Sequence, residues 1–224
     1  MIYALHGMLG LPSDWSPFFH DACCPALFEE APLPYEVWAK QFNARVDPNQ
    51  SNILVGYSLG GRLGIHALLQ DPQRWRGAIL LSTGLNSRPD KWQKDLEWKE
   101  KFQTLPWERL MEEWNGQPVF ADTFTPVRKE SEFNRQHLSL SFQEWSTAKQ
   151  KDLQTAFEAL EIPIYWVIGE KDPIALRNVS LKHPFSKVLV CPGAGHRLQW
   201  DNPLFFKHII EEFQHAYDRP LATH

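Results

Sequence analysis

Gly56-Tyr57-Ser58-Leu59-Gly60 sets a serine between two glycines, the spacing of a sharp strand-to-helix turn that presents the serine hydroxyl. Such a hydroxyl is a weak nucleophile or base until a histidine takes its proton, and the histidine needs a third group to orient it. Both partners occur downstream. Gly193-Ala194-Gly195-His196 offers a histidine in a glycine-flanked turn, and Gly169-Glu170-Lys171-Asp172 offers an acid. Asp172 is the expected orienting group, with Glu170 as its neighbouring rival. Ser58, His196 and Asp172 together make a candidate constellation for proton abstraction or covalent catalysis. The bland alternatives are a structural serine at a tight turn, an aspartate capping the turn at Pro173, and a surface-loop histidine.

For these side chains to meet, the elements before them must end at one edge of a sheet. Short apolar runs at 1–5, 52–56, 77–81, 163–168 and 187–190 read as buried strands. Ser58, Asp172 and His196 each fall just beyond the end of such a run. Helical patterns cover 61–70 and 203–217, the latter with Phe205, Phe206, Ile209, Ile210 and Phe213 at helical spacing. Strands alternating with helices predict a mostly parallel sheet covered on both faces. Residues 84–150 interrupt the alternation with several helices and carry Trp92, Trp98, Trp107, Trp114 and Trp145. They are expected to form a helical cap over the strand ends, where ligands bind in such sheets. Residues 1–83 and 151–224 would then form the core.

Composition narrows the chemistry. The chain has 224 residues, 23 basic and 27 acidic side chains and a net charge of −4, which argues against nucleic acid as a partner. Cys23, Cys24 and Cys191 are odd in number and two are adjacent, unlike a disulfide framework or a zinc site. No apolar run approaches the roughly 20 residues of a membrane span, and no signal-peptide pattern opens the chain. The expectation is a cytoplasmic protein without metal or organic cofactor. Oligomeric state is not legible.

Two further features bear on the site. His6-Gly7-Met8-Leu9-Gly10 follows the first strand, so the backbone N–H groups of Met8 and Leu59 are the expected donors to a developing oxyanion. Arg62 lies four residues after Ser58 and so on the serine's side of the following helix. Its neighbours are apolar, and a buried guanidinium must be paired. It either bridges to an acid of the cap or clamps a substrate carboxylate, to which its planar fork is matched.

The order Ser, Asp, His and these motifs resemble the α/β-hydrolase superfamily along essentially the whole chain. Four stretches resemble one narrower family: GYSLGGR (56–62), WNGQPVF (114–120), GEKD (169–172) and GAGHRLQWDNP (193–203). That family is 2-succinyl-6-hydroxy-2,4-cyclohexadiene-1-carboxylate synthase of menaquinone biosynthesis. The resemblance implies a lyase that eliminates pyruvate from a small, carboxylate-bearing substrate, with the triad as a base. It also implies that Tyr57, Trp114 and His6 line the pocket, that Arg62 binds a carboxylate, and that Arg135 in the cap does likewise. The chain departs from the pattern in three places. It has Lys91, Lys94 and Lys99 where relatives carry arginines, it lacks the usual D-x-P-G-x-G loop, and it has no leading hairpin. A carboxylesterase or thioesterase working through an acyl-enzyme is the alternative, since it would use the same triad.

Overall fold

All five apolar runs form strands in the computed structural model, which describes residues 1–172 and 182–217. The strands are β1 (Ile2–Leu5), β2 (Ile53–Tyr57), β3 (Gly77–Leu81), β4 (Ile164–Gly169) and β5 (Ser186–Cys191). They lie side by side in chain order and every pairing is parallel. Alternation along each strand divides the side chains between two apolar clusters. Leu54, Leu80 and Trp166 belong to one, and Val55, Ile79 and Val167 to the other.

The helices follow from that division. α1 (Tyr35–Ala44) and α2 (Leu59–Gln70) bury Ala39, Phe42, Leu63 and Leu68 on the first face. The chain between β3 and β4 holds α3 (Trp92–Thr104), α4 (Trp107–Asn115) and α5 (Arg135–Glu144), and then the short α6 (Gln154–Glu158). After β5 come α7 (Leu198–Asp201) and α8 (Pro203–Tyr217). From α8, Phe206, Ile209, Ile210 and Phe213 pack on the second face, as their helical spacing requires. The fold is α/β, with helices on both sides of a parallel sheet. No helix among the described residues is long and apolar enough to cross a membrane.

Two expectations change. The run at 187–190 is not fully buried: β5 ends the strand order, so it has one neighbour, and Val188 and Val190 are exposed. The helix expected from Gly61 begins at Leu59, directly after Ser58. At the other end of the strand order, Tyr3 of β1 forms a parallel bridge with Cys23.

Gly60 shows why the start of α2 must be small. A Cβ there would lie 2.3 Å from the Leu5 carbonyl oxygen and 2.4 Å from that of His6. Helix propensity alone favours alanine over glycine by about 1 kcal/mol. The backbone contact opposes this and is the larger effect, since overpacking costs about 1–3 kcal/mol even where side chains can yield. Gly60→Ala is therefore expected to destabilise the protein, lowering its midpoint in urea; an unchanged or higher midpoint would mean that β1 and α2 can separate freely.

Candidate active site

Because the strands are parallel, the loops that leave β1, β2, β4 and β5 gather at one edge. Ser58 leaves β2 with φ 51° and ψ −111°, in the left-handed half of backbone space. Its N–H donates to the Leu81 carbonyl at 2.9 Å, and its carbonyl accepts from Thr83 Oγ1 at 2.9 Å. At the end of β4, a Cβ on Gly169 would meet the Gly195 carbonyl oxygen at 2.0 Å. Glycine there lets the histidine loop lie directly against β4, where Lys171 N–H donates to the Ala194 carbonyl at 2.8 Å.

The result is a short chain of contacts. His196 Nε2 lies 3.1 Å from Ser58 Oγ, and its Nδ1 lies 2.6 Å from Oδ2 of the buried Asp172. Glu170, the rival acid, instead accepts from the N–H of Gly193 at 2.8 Å. The arrangement suits Ser58 to pass its hydroxyl proton to His196 while Asp172 holds the imidazole.

Met8 and Leu59 border the cavity beside Ser58. Leu59 is the first residue of α2, where a backbone N–H has no partner within the helix. His6 is placed differently. It is 2% exposed and stands outside the cavity lining. Its Nε2 accepts from Leu27 N–H at 3.1 Å and its Nδ1 lies 2.9 Å from the Gly7 carbonyl, so the ring ties the loop after β1 to the segment around Leu27. Burial lowers its pKa to about 4.

The cavity holds about 390 Å³ over Ser58, roofed by residues from α3, α4 and α5. Tyr57, Trp98, Trp114, Phe142 and Trp145 supply apolar wall, and Trp98 meets Trp114 edge-on at 5.0 Å. The charged lining is one-sided. Among the described residues, Arg62, Arg88, Lys91, Lys94, Arg128 and Arg197 face a single carboxylate, Asp95. Arg88 and Arg128 are committed to Asp90 and Asp14. Arg62 is not. Its Nη2 donates to the Trp145 carbonyl at 3.2 Å, its buried Nε has no partner, and it forms no ion pair among the described residues. Burial holds the Lys91 ammonium below the ordinary lysine value; Asp95 opposes this, and the nearby Arg62, Lys94 and Arg88 add to it.

Other expected cap residues lie elsewhere. Arg135 donates to the carbonyls of Phe102 and Leu105 at the end of α3 and pairs with Glu130, away from the cavity. Lys99 donates to Gln143 Oε1 and is also outside it. Conversely, Arg88, Arg128, Arg197 and Trp200 line the cavity without having been expected there. Arg197 and Trp200 stand beside His196 in the sequence, which was their one available signal.

A family model for the alpha/beta hydrolase fold matches residues 36–203. The chain belongs to the α/β-hydrolase family. Within that family it is 33% identical, over 67% of its length, to 2-succinyl-6-hydroxy-2,4-cyclohexadiene-1-carboxylate synthase of Enterobacter sp. (strain 638), and this match spans 61% of that relative. It is 27% identical to a Haemophilus influenzae protein with the same name, qualified there as putative, over 94% of this chain and 95% of the relative. The solved structure of MenH from S. aureus superposes with a TM-score of 0.84 at 17% identity, covering 97% of this chain and 94% of that one, and supports the shared fold.

His6 gives this α/β hydrolase a defined acid sensitivity. Its folded pKa of about 4 lies below the ordinary histidine value, so the unfolded chain binds more protons between the two. Stability is therefore complete above roughly pH 6.5 and falls as the pH drops towards 4, by up to about 3 kcal/mol from this residue. Urea unfolding at pH 7 and pH 4.5 should show a smaller loss in His6→Gln than in the wild type; equal losses would remove His6 as a source.

Proposed function

We propose that this α/β hydrolase is a 2-succinyl-6-hydroxy-2,4-cyclohexadiene-1-carboxylate synthase-like lyase, eliminating pyruvate from a polyanionic cyclohexene carboxylate in menaquinone biosynthesis. The observation that carries the reading is Arg62: a guanidinium without a counter-ion among the described residues, one helical turn from Ser58, in a cavity rich in cations. A carboxylate would supply the missing partner, and the guanidinium fork is shaped for one. The names of the relatives at 33% and 27% identity support the same assignment. Residues 84–150 act as a cap whose Trp114 and Trp145 close over the ring of the substrate.

In this reading Ser58 Oγ takes a proton from a ring carbon as its own hydroxyl proton passes to His196 Nε2. Asp172 stabilises the imidazolium that forms. The enolate-like charge that develops is held by the N–H groups of Met8 and Leu59. The electron pair then completes a ring double bond as the C–O bond to the pyruvyl group breaks. The leaving enolate takes back a proton and becomes pyruvate. Arg62 holds a carboxylate of the bound substrate throughout, with Lys91 and Lys94 nearby and Tyr57 and Trp114 as walls. No metal or organic cofactor enters these steps.

Purified protein supplied with the pathway intermediate should release pyruvate and turn over a panel of p-nitrophenyl esters and acyl thioesters poorly. Efficient ester or thioester hydrolysis without pyruvate would replace the synthase reading by that of a serine hydrolase. Ser58→Ala should lose about three orders of magnitude in turnover, and near-normal activity would remove Ser58 from the chemistry. Arg62→Ala should raise KM for carboxylated substrates while sparing neutral esters; equal effects on both would make the arginine a packing element.

A further inference from the structure

Residues 121–128 run between α4 and α5 in turns and irregular backbone, and this strap meets both loops that carry the candidate site. At one end it is fastened to the histidine loop. Asp201 Oδ2 accepts from Thr123 Oγ1 at 2.5 Å and from the N–H of Gly195 at 2.9 Å, while its Oδ1 accepts from the N–H of Phe124 at 2.6 Å. Arg197, which follows His196, donates its N–H to Thr123 Oγ1 at 3.2 Å, and its Nη1 donates to the Phe124 carbonyl at 2.9 Å. The approach is close: a Cβ on Gly195 would lie 3.1 Å from that of Thr123.

The other end is fastened to the loop after β1. Arg128 Nε donates to the Leu9 carbonyl at 2.8 Å, and its Nη2 pairs with Asp14 Oδ2 at 2.7 Å. The two side chains are only 9% and 11% exposed. Asp14 also accepts from Leu11 N–H at 2.8 Å, so carboxylate and guanidinium grip the loop from two directions. Leu9 has φ 56°, an unfavourable conformation for a leucine that needs such support.

We propose that the strap positions both halves of the catalytic machinery, Thr123 acting on His196 through Asp201, and Arg128 acting on the Met8 N–H through Leu9. This rests on Ser58, His196 and the Met8 N–H doing the chemistry, but not on the identity of the substrate. Charge-assisted hydrogen bonds with little solvent exposure hold geometry more firmly than surface contacts do. Catalytic groups have to be held within about 0.5 Å, and a displacement of about 1 Å can cost about a hundredfold in rate. Thr123, Asp201 and Arg128 are thus positioning residues.

A fluorophosphonate probe tests this without a substrate. Ser58 Oγ forms the bond to phosphorus as fluoride leaves, His196 takes the serine proton, and the phosphoryl oxygen occupies the oxyanion position. Thr123→Val and Arg128→Gln should each slow labelling of Ser58 about tenfold or more, at temperatures well below their unfolding midpoints. Thr123→Ser, which keeps the hydroxyl, and Val127→Ala, at a strap side chain that is 87% exposed, should label within about threefold of the wild type. With whichever substrate proves active, the loss should fall mainly on kcat for Thr123→Val. Wild-type labelling rates in the folded Thr123→Val and Arg128→Gln proteins would overturn the proposal, reducing the strap to a stabilising tie. If Arg128→Gln fails to fold, Thr123→Val and Thr123→Ser alone decide. A wild type that resists the probe lacks the activated serine on which the proposal rests and also overturns it. Pyruvate release plays no part in labelling, so the synthase reading can fail while the strap proposal stands.

Discussion

At φ 51° and ψ −111°, Ser58 holds a conformation that costs a residue with a side chain about 1–3 kcal/mol, and the rest of the site is arranged around that turn. The turn can be this tight because Gly56 and Gly60 let β2, α2 and the end of β1 come together with no Cβ between them, while Gly61 leaves room for the Thr83 side chain after β3. The same closeness brings the loop after β1 beside the first N–H groups of α2, where partners are lacking and negative charge is favoured. A Cβ at any of the three glycines would separate elements that must touch. Geometry at the serine, helix start and loop position are therefore one constraint.

Electrostatics adds a second constraint of opposite sign. The chain is acidic overall, yet among the described residues its cavity lining carries six cations and one carboxylate. Holding cations together away from water is unfavourable, and the lowered pKa of Lys91 reports that cost. Among the described residues, the Arg62 guanidinium has only a backbone carbonyl as hydrogen-bond partner. An anion entering the cavity relieves repulsion as well as gaining hydrogen bonds. A protein of net negative charge can in this way serve an anionic ligand through a local excess of a few side chains.

Much of this was legible in the sequence because it is written locally. The strands are apolar runs closed by glycine or proline, and Ser58, Asp172 and His196 follow strand ends among glycines that have a steric reason to be there. Features depending on distant neighbours were not legible. Arg128 grips Leu9 across 119 positions, and nothing near either residue announces it. The exposure of β5 depends on its place in the strand order rather than on its own apolar residues. His6 and Arg135 carry side chains fit for binding, but burial turns one into a tie between loops and carbonyl acceptors turn the other into a cap on α3. Arg62 left two readings open at the level of sequence; among the described residues it has no ion pair, which favours the clamp over the internal bridge.

The strand order has a consequence for synthesis of the chain. Since each strand pairs with the one made just before it, the sheet can grow from β1 onward as the polypeptide emerges. A nascent chain that has reached β3 already contains the serine turn, but neither the acid nor the histidine. Both arrive only after the long helical insertion has been made. Ser58 is thus made well before the imidazole that stands beside it in the folded chain, and the contact between the two can form only once β5 and the loop after it have been made.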